Sequence, residues 1–390
     1  MSALSKILVA VGAGALLALP PIVATPATSA PVDPDVTLRE MVTAQVLDRA
    51  RDDRALAGAT AGDTRVTVSR RAGDWAFGTA VVVAPRFRGA FPHGDLFLGQ
   101  WDGRSWRLAF HGDSGFAGLA AAAPLVSAEE RELFAPVAPL AYGDYRTGMR
   151  LPFGVGQTWY MGGGPHGWSG YNTPWSSIDL SGGDQVVVAA RGGTAYTMCR
   201  GWLRVIHDRG YATDYYHLWS NINVNGAPVG EGAFLGYTGT DVTCGGSANG
   251  RHVHFALRQN NAYVGIAGHN FGKWVPMNGG AAYQGYALHG STRVNVGGGL
   301  YNYGALGFNQ GIIDANGGGY VNKRSGPGTG YAVVGTVNDG TTVTVSCSAN
   351  GTTHTGRWGT TALWNRLSDG TWVTDAFMWT GLDGPINGWC

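Results

Sequence analysis

The pattern of apolar and polar positions divides the chain into three regions, and the first, residues 31–140, mixes helix and strand signals. Thr37 and Glu40 form a capping-box pair ahead of an apolar stripe with helical spacing, which predicts a helix. Ser127 and Glu130 form a second such pair. Strand-like runs lie between the two capping boxes: Arg65–Arg70, Trp75–Ala84, Leu96–Trp101 and Trp106–Phe110. Asp102-Gly103 is a hairpin signal that joins the last two runs. We therefore predict a small α+β unit.

The second and third regions carry short strand-like runs. Residues 145–305 form the second region, and the Gly-rich residues 306–318 that follow are interpreted as a linker. In residues 319–390, Asp339-Gly340 and Asp369-Gly370 each lie between two strand-like runs, which predicts two hairpins in a small barrel. The whole pattern predicts a mainly β protein.

Residues 1–30 have the pattern of an export signal. Lys6 gives a positive start, Ile7–Leu19 is apolar, and the small residues beyond it offer a cleavage site near Ala27 or Ala30. A membrane anchor is the alternative, but the run is shorter than the roughly 20 residues that a spanning helix needs. We expect a secreted, extracellular protein, associated with the cell wall and not with a membrane after signal cleavage.

The position of residues 31–140, between this signal and the central region, indicates a propeptide. A permanent N-terminal domain is the alternative interpretation. Composition agrees with the β pattern, because 64 glycines in 390 residues and only 14% charged residues suit short strands joined by turns. The net charge of +1 gives no electrostatic case for binding nucleic acid or an anionic membrane.

Four cysteines in an exported chain predict two disulfides. Three connectivities are possible, and proximity in the sequence favours Cys199–Cys244 with Cys347–Cys390. The absence of a Cys-x-x-Cys pair argues against a zinc-thiolate cluster.

The histidines carry the strongest chemical signal. His252 and His254 are two residues apart in a strand-like run, so their imidazoles lie on the same face and need polar partners or a metal. His166 lies in a Gly-rich loop, Asp179 follows it, and His217 ends another strand-like run. Catalytic zinc commonly takes three nitrogen or oxygen ligands and keeps one position for water, which two histidines and one carboxylate can supply. Asp184 is an alternative carboxylate ligand.

The order of these motifs, His-x12-Asp, then Tyr-Tyr-His, then His-x-His-Phe, resembles that of the lysostaphin-like zinc metallopeptidases, and within them the beta-lytic and staphylolytic branch. The resemblance covers residues 145–305. Six matching runs support it: Leu151-Pro152-Phe153, Ser176–Asp179, Val186–Thr194, Ala212–His217, Gly250–Phe255 and Arg293–Gly297.

The resemblance implies a mostly antiparallel β fold with one zinc ion in an open, Gly-rich groove. It implies that His166, Asp179 and His254 are the zinc ligands. It also implies a disulfide between Cys199 and Cys244, which is where that branch places one.

The same resemblance implies catalytic roles for four further residues. His252 matches the general base that acts on the zinc-bound water, and His217 matches the second catalytic histidine, which orients or stabilises the developing oxyanion. Tyr216 and Tyr301 match tyrosines that line the cleft near the scissile carbonyl.

Residues 319–390 resemble a bacterial SH3-like domain, on the runs Val321–Tyr331, Val334–Val343, Trp364–Leu367 and Trp372–Ala376. Such domains often hold an enzyme on the cell wall, and exposed aromatic side chains could supply the contact surface. Trp358, Trp364 and Trp372 are equally suited to fill a small core.

The leading hypothesis is a monomeric, secreted zinc endopeptidase that hydrolyses peptide bonds in peptidoglycan cross-bridges. One alternative is a catalytically inactive cell-wall binding protein on the same fold. Another is a general protease of glycine-rich proteins. Gly-Gly, D-Ala-Gly and D-Ala–diaminopimelate bonds all remain possible scissile bonds at this point.

Overall fold

Strands dominate the part of the chain that the computed structural model describes, which is residues 33–137 and 143–390. The predicted export signal at residues 1–30 lies outside those ranges. Neighbouring strands in the sheets pair antiparallel. The prediction of a mainly β, antiparallel fold is therefore confirmed. Among the described helices, none has the length and apolar character needed to cross a membrane.

The N-terminal unit consists of helices packed on a four-stranded sheet, as the sequence predicts. Its strands are Thr64–Ala72, Trp75–Val82, His93–Trp101 and Trp106–Phe110, in that order across the sheet. Its helices are Pro34–Ala50, Phe116–Ala122 and Ala128–Phe134, with a 3-10 turn at Ala61–Asp63.

One of the two predicted capping boxes opens a helix. The Glu130 N–H donates to Ser127 Oγ at 3.1 Å, and the Ser127 N–H donates to Glu130 Oε2 at 2.9 Å. The prediction for Thr37 and Glu40 is wrong, because the first helix already begins at Pro34. Proline suits a first helical position, where its missing N–H leaves no backbone donor unpaired.

A nine-stranded antiparallel sheet forms the centre of the molecule. Eight strands follow one another across it: Asn225–Val229, Gly193–Cys199, Trp202–Ile206, Tyr211–Tyr216, Val253–Gln259, Ser177–Gly182, Thr158–His166 and Gly299–Tyr301. The ninth, Ala262–Tyr263, pairs with Val253–Gln259. Two smaller sheets flank it, Val186–Val188 with Phe234–Tyr237, and Val275–Asn278 with Gly285–His289 and Thr292–Asn295.

The two faces of the central sheet pack against different partners. Side chains alternate along each strand, so Tyr215 and Phe255 point to one face, and Tyr216 and Ala256 to the other. The first pair lies in a core built only from residues 149–300, and we call this the inner face. The second pair lies in a core that also contains side chains of the N-terminal unit, such as Phe77, and we call this the shared face.

A buried network of charges crosses the shared face. Arg204 is fully buried, and its Nε and Nη2 donate to the two carboxylate oxygens of Asp214 at 2.9 and 3.0 Å. Asp95, from the N-terminal unit, lies 3.5 Å from Arg204 and 3.6 Å from Arg258. Because unpaired buried charges are costly, these pairs tie the N-terminal unit to the central sheet.

The C-terminal strands form a seven-stranded sheet. They are Gln310–Ile313, Tyr320–Arg324, Val333–Asn338, Thr342–Gly356, Gly359–Leu367, Trp372–Thr374 and Met378–Trp379, with a 3-10 turn at Asp375–Phe377. The first of these strands lies in residues 306–318, the range interpreted as a linker. The SH3-like character of this sheet stays a prediction.

Only one of the two hairpins predicted in this region forms. The strands that flank Asp369-Gly370 pair with each other, with Trp364 opposite Thr374. The prediction at Asp339-Gly340 is wrong, because among the described strands Val333–Asn338 pairs only with Tyr320–Arg324. The Asp339 carboxylate accepts hydrogen bonds from the N–H groups of Ser291 and Ala315, so this turn is held by distant segments instead of closing a hairpin.

Both predicted disulfides are present, Cys199–Cys244 and Cys347–Cys390. The first joins strand Gly193–Cys199 to the loop that follows Asp241. The second ties the end of the chain to strand Thr342–Gly356.

Candidate active site

Strand register brings the three predicted metal ligands together. His254 lies opposite Asp179 on the neighbouring strand, and His166 lies opposite Ser177, two residues from Asp179. Asp179 pairs with Gly163, where the register of strand Thr158–His166 shifts. The irregular end of that strand turns His166 toward the other two residues.

Their donor atoms form a nearly equilateral triangle. His254 Nδ1 lies 3.1 Å from His166 Nε2 and 3.0 Å from Asp179 Oδ1, and the third side measures 3.4 Å. Ligands about 2.1 Å from a tetrahedral zinc ion are separated by roughly 3.4 Å. The triangle therefore matches one face of a zinc tetrahedron, and the donor set fits a catalytic zinc site, which commonly keeps its fourth position for water.

Hydrogen bonds and burial prepare these groups for a cation. The Nδ1–H of His166 donates to the Gly164 carbonyl at 2.7 Å, which leaves the Nε2 lone pair for a metal. Burial lowers the pKa of His254 to about 4, so its imidazole is neutral at pH 7. Burial also raises the pKa of Asp179, but its interactions with the neighbouring imidazoles of His166, His252 and His254 outweigh that effect and hold the pKa well below its usual range.

His217 and His252 form the opposite side of the site. Their ring centres are 4.9 Å apart, and His217 lies 6.1 Å from His254. The Nδ1–H of His252 donates to the Gly250 carbonyl at 3.0 Å, and its Nε2 lies 3.6 Å from Asp179 Oδ1. The Nδ1–H of His217 donates to the Asp241 carbonyl at 2.9 Å, and its buried Nε2 has no hydrogen-bond partner among the described residues.

The two predicted tyrosines do not reach the cleft. Tyr216 is fully buried, its ring stacks on His217 at 4.3 Å, and its hydroxyl donates to the Gly245 carbonyl at 2.7 Å. Tyr301 lies on an edge strand, opposite Thr158 of the strand that carries His166. Thr158 is eight residues from His166, which corresponds to roughly 25 Å along a strand. The Tyr301 ring contacts Tyr303.

A different tyrosine, Tyr283, faces the cluster. Its ring stacks on His166 with the ring centres 3.9 Å apart, and it lines the same cleft as the histidines. Sequence reasoning missed it because no motif marks it. Asp184, the alternative ligand, is exposed and accepts hydrogen bonds from Gln157 and from the Val186 N–H, away from the cluster.

The cleft over the cluster has a volume of about 310 Å³. The polar side chains of Ser181, Ser247, Asn249 and Arg251 line it beside the histidines. Such groups can hydrogen-bond the backbone or polar ends of an extended peptide.

The N-terminal unit contributes part of the wall of this cleft. We call residues 84–92 the covering segment, because its Arg88, Gly89 and Phe91 line the cleft. The Phe91 ring stacks on His254 with the ring centres 4.7 Å apart. In the described structure an apolar ring therefore lies directly against a candidate metal ligand.

Backbone hydrogen bonds hold the covering segment in place. The Ala84 N–H donates to the Cys244 carbonyl at 3.0 Å, and the Gly246 N–H donates to the Pro85 carbonyl at 3.2 Å. Gly245 has a φ of +97°, and a Cβ there would meet the Ala84 oxygen at 1.9 Å. Only glycine allows this close approach of the two backbones.

Comparison with known proteins places the chain in a family. No family model matches the chain. The beta-lytic metalloendopeptidase of Lysobacter enzymogenes is 31% identical over 132 residues, which cover 31% of this chain and 74% of the relative. This chain belongs to the beta-lytic metalloendopeptidase family. Its members are named as peptidases, and the metal-ligand geometry described above agrees with that class.

Two further proteins are similar to this chain, and the share of their own length that it covers differs. Protease LasA of Pseudomonas aeruginosa is 36% identical over 137 residues, which are 32% of this chain and 32% of LasA. The chain thus spans about a third of the length of this relative. The solved structure of the M23 metalloprotease pseudoalterin, from a deep-sea source, is 31% identical, with a TM-score of 0.38, over 39% of this chain and 97% of pseudoalterin.

Proposed function

We propose that this chain is a secreted zinc endopeptidase that hydrolyses peptide bonds in bacterial peptidoglycan cross-bridges. The observation that carries the proposal is the triangle of His166, Asp179 and His254, of which Asp179 and His254 line a cleft of about 310 Å³. Membership of a family of metalloendopeptidases supports it. Secretion is supported by the pattern of residues 1–30 and by two disulfides, which persist in oxidising compartments.

His166, Asp179 and His254 would hold the zinc ion. When bound, zinc polarises a carbonyl and lowers the pKa of its bound water toward about 7. His252 has its Nδ1–H engaged by Gly250, so its Nε2 accepts a proton from the attacking water and delivers it to the leaving amine. This tautomer supports the role of general base.

His217 has a more restricted role than the sequence alone indicates. Its Nδ1–H is engaged by the Asp241 carbonyl, so its Nε2 can donate to an oxyanion only in the imidazolium form. Burial lowers the pKa of this side chain to about 3, so the free site holds it neutral. In its neutral form the Nε2 of His217 therefore accepts a hydrogen bond, which suits orienting the attacking water, and His217 can donate to an oxyanion only with a further proton taken from solvent.

Residues 31–140 act, in this proposal, as an inhibitory propeptide. The covering segment lines the cleft, and Phe91 stacks on His254. A substrate peptide needs the same space. Release of the N-terminal unit would open the cleft. The alternative, a permanent N-terminal domain, requires the enzyme to hydrolyse its substrate while the covering segment still lines the cleft.

Residues 319–390 supply wall binding in the proposal. Tyr320, Tyr331 and Trp389 are largely exposed and offer flat contact surfaces. Trp364 is core, since it is buried and its Nε1–H donates to the Thr352 carbonyl at 2.9 Å.

The test uses purified peptidoglycan and the full-length chain, before and after limited proteolysis releases the N-terminal unit. Soluble fragments are identified by mass spectrometry, with His254→Ala as the inactive control. We expect new amino termini within cross-bridges only after proteolysis. Wall binding without fragments would favour an inactive binder, and cleavage of glycine-rich proteins alone would favour a general protease.

A further inference from the structure

Arg251 has a fixed side chain at the edge of the cleft. It lies next to His252 in the sequence and lines the same cleft as the candidate metal ligands Asp179 and His254. Its Nε–H donates to the Thr238 carbonyl at 2.9 Å and to Thr238 Oγ1 at 3.1 Å. Thr238 is itself buried, and its N–H donates to the Gln185 carbonyl at 2.9 Å.

An aromatic ring supports the same guanidinium. The central carbon of Arg251 lies 5.0 Å from the centre of the Trp219 ring, within cation–π range. Arginine side chains lose rotamer freedom when they are ordered. The bonds to Thr238 and the contact with Trp219 order this one before any substrate arrives.

The two terminal amino groups of Arg251 remain available. Within the described ranges they form no hydrogen bond or ion pair, and Asp179, the one carboxylate that lines the cleft, is engaged with histidines. The covering segment, residues 84–92, contains no Asp or Glu, so it closes the cleft without pairing with Arg251. A fixed guanidinium with a free two-nitrogen edge matches the geometry of a carboxylate.

We propose that Arg251 determines substrate specificity by binding a carboxylate next to the scissile bond. This inference rests on the proposed peptidase function. Among the three cross-bridge bonds that the sequence leaves possible, the D-Ala–diaminopimelate bond fits best. In such a cross-link the carbon that bears the leaving nitrogen also bears a carboxyl group, whose carbon lies about 2.5 Å from that nitrogen by ordinary bond lengths. An internal Gly-Gly bond offers no such anion.

The experiment compares matched soluble peptides. One contains a D-Ala–diaminopimelate bond with a free carboxylate beside the leaving amine, the second has that carboxylate converted to an amide, and the third is a neutral glycine peptide. The full-length chain is used after limited proteolysis, as wild type, Arg251→Gln and Arg251→Lys. Arg366→Gln, at an exposed arginine of the C-terminal sheet, is the matched control.

We expect wild type to cleave the carboxylate peptide with at least a 10-fold lower KM than the amide. Arg251→Gln should raise the KM for the carboxylate peptide at least 10-fold, change that for the amide less than 2-fold, and leave kcat similar. Arg251→Lys should recover part of the loss, because it keeps the charge without the two-nitrogen edge. Arg366→Gln should behave as wild type.

Equal effects of Arg251→Gln on the carboxylate and amide peptides would overturn the inference and leave the proposed peptidase intact. If Arg251→Gln does not fold, Arg251→Lys gives the same comparison between the two peptides. A wild-type enzyme that cleaves neither peptide nor walls would contradict the proposed function and, with it, this inference.

Discussion

The two faces of the central sheet differ in what completes them. Within the part of the chain that the structure describes, the apolar core on the inner face is built from residues 149–300, including Phe255 and Leu257. The shared face, which carries His254, Ala256 and Tyr216, is completed by the N-terminal unit. The same strands thus build a self-contained core on one side and, on the other, a site whose cleft is partly lined by a second unit. Under the proposal that this unit inhibits the enzyme, stability and latency can be changed separately.

The largest expected effect is on the site itself. His254→Ala removes one of three donor atoms, so we expect hydrolysis of cell walls to fall by roughly 10³-fold or more. The measurement is the initial rate of fragment release after limited proteolysis. His289→Ala is the matched control, because His289 lies in the separate three-stranded sheet that contains Gly285–His289 and does not line the cleft. A similar loss in both variants would contradict the proposed site.

The covering segment provides the next test. Phe91→Ala removes the ring on His254 and leaves a cavity in the shared core, at a cost of about 3 kcal/mol to docking of the N-terminal unit. We expect the uncut chain to gain at least 10-fold in peptidase rate. Phe87→Ala, at an exposed residue of the same segment, should leave the uncut chain latent. Latency unchanged in Phe91→Ala would exclude inhibition by this contact.

Disrupting the buried charge network should weaken docking of the N-terminal unit almost as much as Phe91→Ala does. Asp95→Ala leaves Arg204 and Arg258 with less compensation in a buried site, which we expect to weaken docking of the N-terminal unit by about 3 kcal/mol. Chemical denaturation and the rate of the uncut chain both measure this. Asp52→Ala, at an exposed residue, is the control. A variant with wild-type stability and full latency would show that the network does not hold the unit.

A pair of similar truncations compares the two faces directly. Leu257→Ala on the inner face and Ile206→Ala on the shared face should each lower the free energy of unfolding by about 2 to 4 kcal/mol. Only Ile206→Ala should also raise the peptidase rate of the uncut chain. An increase of equal size in both variants would mean that the faces are not independent.

Low pH should lower the free energy of unfolding through a buried histidine, to a smaller extent than the truncations above. Burial lowers the pKa of His207 to about 4, while its unfolded value is 6.5. Between pH 6.5 and 4 the unfolded chain takes up a proton that the folded chain does not, so the free energy of unfolding falls, by at most about 3 kcal/mol. His207→Gln should flatten the pH dependence of unfolding in that window. An unchanged slope in His207→Gln would contradict this assignment.

The sequence predicts the parts of the site that lie on regular strands. Alternation puts His252 and His254 on one face, and strand pairing then brings Asp179 opposite His254. Tyr283 and Phe91 escape such reasoning, because each reaches the cluster from a segment far away in sequence. Tyr301 fails for the same reason, since its edge strand pairs at Thr158, the far end of the strand that carries His166.

The fold shows the same division between local and long-range causes. The capping box at Ser127 and the hairpin at Asp369-Gly370 depend on neighbouring residues and form as predicted. The hairpin at Asp339-Gly340 does not form, because bonds from Ser291 and Ala315 fix that turn. The packing of the N-terminal unit on the shared face carries no local signal at all.

The measurement that tests the central claim most directly is zinc K-edge X-ray absorption on the full-length chain, with metal content determined on the same sample. We predict one zinc ion per chain, bound by nitrogen and oxygen at about 2.0–2.2 Å, with two imidazoles and no sulfur. Loss of the signal in His254→Ala would agree with that geometry. A sulfur ligand, or no zinc in the wild-type chain, would contradict it.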